Sequence, residues 1–156
     1  LDATAGTATT KSENGEKSSV HDGAQGKYKE AALLQVERAV SGRASCRGCK
    51  EKTGRGDYRV GMPAWSAGRN IVVWHHPVCF VRDAVRLEKV DRGSAARCKY
   101  TGDRFVQGDL RIVVQAGATK NYSRAPVAVK PLLAPVQDAI TLTKRESLLG
   151  SKDGEV

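Results

Sequence analysis

Leu33, Val36 and Val40 recur at helical spacing among polar neighbours and predict a helix over residues 27–40. Residues 56–61 and 69–74 read as strands, joined by a turn around Pro63 to Gly68. A second helix is predicted over 77–90. It opens on Pro77, whose fixed φ suits a first helical position, and Val78, Val81, Val85 and Leu87 would line its inner face. A final helix is expected over 133–149, with 150–156 as a short tail. Ahead of all these, residues 1–26 are rich in Thr, Ser, Gly, Ala and charge and almost lack large apolar side chains. Such a stretch cannot bury enough surface to fold alone, and the expectation is an extended tail lying against a partner. The fold class read from this pattern is α+β.

The chain also repeats itself. Cys98-Lys99-Tyr100-Thr101 aligns with Cys46-Arg47-Gly48-Cys49 at an offset of 52 residues. At the same offset Gly108-Asp109-Leu110-Arg111-Ile112 aligns with Gly56-Asp57-Tyr58-Arg59-Val60. The resulting division is a tail over 1–26, a first unit over 27–92, a degenerate second unit over 93–149 and a tail over 150–156.

With 40% hydrophobic but only 5% aromatic residues in 156, any core is small, and small cores usually need a metal or another cross-link. The net charge of +9 suits a polyanionic partner. It is unevenly spread: residues 1–26 hold two lysines against four acids, so the remainder carries +11. No apolar run approaches the length of a membrane span, which argues against a membrane partner.

Cysteine spacing narrows the picture further. Four cysteines could form two disulfides in a secreted chain. The C-x2-C pair Cys46/Cys49 and the H-x2-C pair His76/Cys79 fit a metal site better. A tight turn offers two thiolates, and the start of a helix offers an imidazole and a third thiolate. That set satisfies one tetrahedral zinc and leaves no position for water, which is the signature of a structural ion. Cys98 is left over as a small buried hydrophobe. At the 52-residue offset Thr101 replaces Cys49, while the counterparts of His76 and Cys79 fall at Ala128 and Pro131, so the second unit is expected to bind no metal. Twenty-six residues separate Cys49 from His76, more than the roughly 12 of the common two-Cys, two-His finger.

The strings Val36-Glu37-Arg38-Ala39, Ser41-Gly42-Arg43-Ala44-Ser45-Cys46-x-x-Cys49, Gly56-Asp57-Tyr58-Arg59-Val60 and Trp74-His75-His76-Pro77-x-Cys79-Phe80 resemble the zinc finger of the poly(ADP-ribose) polymerase type. The resemblance spans about residues 36–82. In that family the finger binds DNA breaks by shape, and it also occurs in a DNA ligase. Here the interval before the histidine is slightly short, so the hairpin loop is trimmed, and nothing after residue 82 resembles a transferase domain. The family pattern favours His76 over His75 as the ligand and leaves His75 at the surface or behind the ligands. It also implies phosphate contacts from Arg43 and Arg59, and stacking on an exposed base pair from the hairpin loop, here Trp65 or Met62.

Around the C-x2-C pair, Arg43, Arg47, Lys50, Lys52, Arg55 and Arg59 stand within seventeen residues against Glu51 and Asp57. Guanidinium groups fork two hydrogen bonds onto phosphate. Arg104, Arg111, Lys120 and Arg124, with Tyr122 for stacking, would extend the basic surface over the second unit. No Gly-rich phosphate loop is present, and the histidines and cysteines committed to zinc leave no Ser-His-Asp or Cys-His nucleophile, so no catalysis is expected. The leading expectation is a non-enzymatic nucleic-acid-binding protein with one structural zinc, acting on DNA in the nucleus. The alternative is a structural RNA-binding subunit of a large ribonucleoprotein such as a mitochondrial ribosome, holding rRNA and neighbouring proteins, with its start at Leu1 reflecting removal of a targeting peptide. A protein-interaction adaptor is a third class.

Overall fold

The computed structural model describes residues 33–150. The expected tail 1–26, residues 27–32 of the expected first helix and residues 151–156 lie outside the described residues. Within them the protein is α+β: two three-stranded antiparallel sheets, each closed by a helical segment.

The first sheet contains β1 (Gln35–Arg38), β2 (Tyr58–Ser66) and β3 (Arg69–His75), with β2 central. Val60, Met62 and Ala64 point inward from β2 with the period of two that a half-buried strand requires, and Val73 and His75 do so from β3. Pro63 lies inside β2, opposite Val72 on β3, and not in the turn. It is tolerated because β1 covers only Tyr58 to Gly61, so β2 is an edge strand on that side at Pro63 and needs no N–H there. The turn is instead Ala67-Gly68, both with positive φ, as a tight two-residue hairpin demands.

The predicted helix over 27–40 is overturned for its described part. Gln35 to Arg38 pair with Gly61 to Tyr58 as a strand, and Val40 is exposed. Leu33, Leu34 and Val36 still pack on the core, but a strand edge with a partner outweighs a weak helical preference.

Pro77 does open a helix, α1 (Pro77–Cys79), which widens into a π-type turn at Phe80–Ala84 and stops. The helix does not reach residue 90: β4 (Val85–Lys89) pairs with β5 (Leu110–Ala116), and β6 (Thr119–Arg124) completes the second sheet. The inner face also differs from the expectation. Val78, Val81 and Leu87 are exposed, while Cys79, Phe80 and Ala84 are buried. After β6 come α2 (Ala125–Ala128), a π-type turn at Val129–Leu133 and α3 (Ala134–Gly150). The last helix was expected within one residue of these bounds.

A single core joins both sheets. Val60, Met62 and Val73 of the first share it with Ile112, Val114 and Ala116 of the second, and Phe80, Leu132 and Val136 fill the space between. The long helix α3 returns across the first sheet, where Glu146 pairs with Arg38. Among the described residues no helix is long and apolar enough to cross a membrane.

Candidate metal centre

Each ligand is fixed by its local fold. Cys46 and Cys49 sit on a knuckle closed by Lys50 N–H donating to the Cys46 carbonyl at 2.9 Å, with Lys50 in the left-handed region at φ 69°. Arg47 N–H ties the knuckle to β3 through the Trp74 carbonyl, at 2.8 Å. Gly48 makes room for the ligands: a Cβ there would push the Asp83 carboxylate aside and stand 3.1 Å from the Cys79 Cβ. His76 follows β3 with extended backbone, and Pro77 turns the chain into α1 so that Cys79 faces the knuckle one turn on.

These elements bring Cys46, Cys49, His76 and Cys79 together with one ligand atom each, all within 4.8 Å of one another. Cys49 Sγ lies 3.3 Å and Cys79 Sγ 4.0 Å from His76 Nδ1. Donors around a tetrahedral ion, with metal–sulfur bonds near 2.3 Å and metal–nitrogen bonds near 2.0–2.1 Å, stand about 3.6–3.8 Å apart. The observed spacings bracket that value, so three cysteines and one histidine are positioned to bind one metal ion.

Burial alone would raise the Cys46 thiol, but the backbone N–H groups of Cys49, His76 and Gly48 outweigh it and hold the thiol at about 7. Burial and then the neighbouring sulfurs push the Cys79 thiol up to about 11. A full thiolate set therefore needs a cation at its centre. Arg82, paired with Asp83, donates to Cys79 Sγ at 3.7 Å.

His75 is not at the surface. It is 3% exposed, packs edge-on against Phe80, and leaves Nδ1 without a hydrogen-bond partner among the described residues. Burial pushes its imidazole below the usual range.

The second unit repeats this framework bond for bond. Gly102 N–H closes its knuckle onto the Cys98 carbonyl, and Lys99 N–H meets the Tyr122 carbonyl. His76 N–H donates to Cys46 Sγ at 3.3 Å, and Arg124 N–H donates to Cys98 Sγ at 3.3 Å. The positions of His76 and Cys79 therefore fall at Arg124 and Val127, and not at Ala128 and Pro131. The shift comes from the second hairpin: Val60 faces His75 fifteen residues on, whereas Ile112 faces Ser123 only eleven on.

The basic residues singled out by the sequence divide into two groups. Arg59 is not a free fork: its side chain is 11% exposed, bonded to Glu37 at 2.6 Å and laid 3.8 Å over the Trp74 ring. Arg111 does the same with Glu88 and Tyr122. Arg43, Arg47, Arg104 and Lys120 are exposed and form no ion pair among the described residues. Trp65 is 59% exposed at the hairpin tip, where its backbone N–H donates to Thr119 Oγ1 of the other hairpin. Met62 is fully buried in the core and does not reach the loop. The Glu37–Arg59 and Glu88–Arg111 pairs went unseen in the sequence, although the near-constant spacing of the four residues was a signal for them.

No protein-family model matches this chain, and no curated protein matches it.

Proposed function

We propose that this protein is a non-enzymatic nucleic-acid-binding module whose first unit is folded around one zinc ion. The donor set carries the metal assignment, since three thiolates and an imidazole at tetrahedral spacing suit zinc and close its coordination sphere. Such an ion holds the knuckle to the helix and takes no part in chemistry.

The observation that carries the nucleic-acid reading is a set of exposed cations with no ion-pair partner among the described residues. Arg43 and Arg47 on the knuckle and Arg104 and Lys120 on the second unit are exposed, on a chain of net charge +9. They would bind phosphate with little sequence readout. The resemblance to the poly(ADP-ribose) polymerase finger makes DNA ends in the nucleus the first ligand to try. A second reading, a structural RNA-binding subunit of a ribonucleoprotein such as a mitochondrial ribosome, is favoured by the hairpin tip. The Trp65 backbone N–H bonds Thr119 Oγ1, so the tip is fixed to the second unit, which suits a surface that grips RNA with both units.

Crosslinking the protein to its native partners and sequencing the bound nucleic acid tests both. Genomic DNA enriched at breaks is the outcome expected of the first reading. One or two fixed rRNA segments would assign the second. Recovery of neither, with only protein crosslinks, would overturn the nucleic-acid function and leave a protein adaptor.

A further inference from the structure

Where the metal knuckle of the first unit meets the hairpin tip of the second, the surface opens into a cleft of about 450 Å³. This is within the range of small-ligand sites. One wall is the knuckle, through Arg47 and Gly48. The other is the second hairpin, through Gln115 and Gly117. The Arg47 guanidinium lies beside Gly117, 3.7 Å from where a Cβ would be, and the positive φ of 60° at that turn favours glycine. Lys120 faces Gln115 in register across β5 and β6, which puts a second cation on the same side of the sheet.

His75 contributes to the lining from the interior. Its ring is buried and its Nδ1 has no partner among the described residues. A buried polar atom left unpaired is costly, and a water or an ion commonly meets it. The remaining charges in the lining cancel: Arg82 donates to both oxygens of Asp83, at 2.8 and 2.7 Å. Neither Arg47 nor Lys120 has an ion-pair partner among the described residues, so the net charge they offer a ligand is positive.

We propose that this cleft holds a backbone phosphate of a nucleic-acid strand that crosses from one unit to the other. Arg47 supplies charge from the cleft wall and Lys120 from the strand beside it. The Gln115 amide, which spends one N–H on the Gly117 carbonyl at 2.9 Å, supplies its other. The site exists only where the two units meet, which gives the metal-free unit a role in binding. The inference rests on the nucleic-acid reading above.

The test uses the full chain, loaded with metal, and two fluorescein-labelled probes: a nicked duplex DNA and a single-stranded RNA. Binding is titrated across a series of salt concentrations. Arg47→Gln is expected to weaken binding about ten- to hundred-fold. It should also reduce the slope of log K against log salt by about 0.9 on duplex or about 0.7 on a single strand, the loss of one phosphate contact. Lys120→Gln, at an exposed strand position without packing, should lower the slope in the same way. Gln115→Ala should lower affinity with the slope unchanged. Metal content and circular dichroism establish that each variant is folded. If wild type binds and neither Arg47→Gln nor Lys120→Gln changes the slope, the cleft is not a phosphate site, while the nucleic-acid reading stands. If wild type binds neither probe at any salt, both fall together.

Discussion

The two halves of this molecule build the same knuckle and hold it shut by different means. In the first, three sulfurs and an imidazole nitrogen converge on one point. In the second, Thr101, Arg124 and Val127 stand where three of those ligands would be, and a hydrophobic cluster packs around Cys98. Phe105 is 2% exposed and packs with Val90, Cys98, Tyr100 and Tyr122. It meets the Tyr122 ring edge-on at 6.5 Å. Its counterpart in the first half is Thr53, whose hydroxyl only bonds the Ala44 carbonyl. The Arg124 guanidinium adds a clamp, donating to the Arg104 carbonyl and pairing with Asp109. A unit of this size needs either a metal or more core, and the chain carries a metal-ligand set in one half and an aromatic cluster in the other.

The comparison breaks most decisively if the metal is removed. A chelator, or Cys46→Ser, should unfold the first unit, because metal binding and folding are coupled in sites of this size, with binding free energies of about 10–16 kcal/mol for structural zinc. Both tryptophans, Trp65 and Trp74, lie in the first unit, so their fluorescence reports on it. The shared core means that the second unit should be lost in the same transition. Hydrogen exchange along Leu110–Ala116 checks this: continued protection of those amides after chelation would show that the metal-free half stands alone.

Phe105→Ala is the mirror experiment. Deleting a buried phenylalanine costs about 3–5 kcal/mol, and the metal should remain bound at one ion per chain below the unfolding transition. Thr53→Val, at the matching position, removes one long hydrogen bond of 3.3 Å and should cost about 1 kcal/mol or less. Denaturant midpoints measured with metal saturating separate the two. If Phe105→Ala costs no more than Thr53→Val, the aromatic cluster is not what replaces the metal.

What the sequence made legible was what is local. The ligand pairs declare themselves because each is two residues on one turn, and the strands were read over 56–61 and 69–74, with β2 running on to Ser66 through the residues expected to turn. The second copy shows in Gly56 and Gly108, both needed for a positive φ of 87° and 90°. What remained hidden depends on distant partners. β1 and β4 are short edge strands whose state is set by β2 and β5, so Leu33, Val36 and Val40 mimic a helix, and Val85 and Leu87 continue one. The ligand counterparts in the second unit moved by four positions because a hairpin shortened, which an ungapped alignment cannot follow. Arg59 looked available because nothing local reveals that Glu37 lies directly opposite it.

The smallest expected effect bears on that last point. Arg59 and Arg111 occupy matching positions, each bonded to a glutamate on the neighbouring strand and stacked on a ring of the strand beyond. Arg59→Ala and Arg111→Ala should each destabilise by about 1–2 kcal/mol, mostly through the lost stacking, since the glutamates are partly exposed and the ion pairs correspondingly screened. Arg59 should cost a few tenths more, because it lies 3.8 Å over an indole while Arg111 lies 4.5 Å over a phenol, and tryptophan is the better cation acceptor. Arg59→Lys should recover little, since a point charge replaces neither the planar stack nor the forked bond. Chemical denaturation with metal saturating measures all three. If Arg59→Ala leaves stability unchanged and instead weakens nucleic-acid binding, the Glu37 pairing yields to phosphate in the complex. Arg59 would then be the phosphate contact that the finger resemblance implies, and the two matching arginines would have different work.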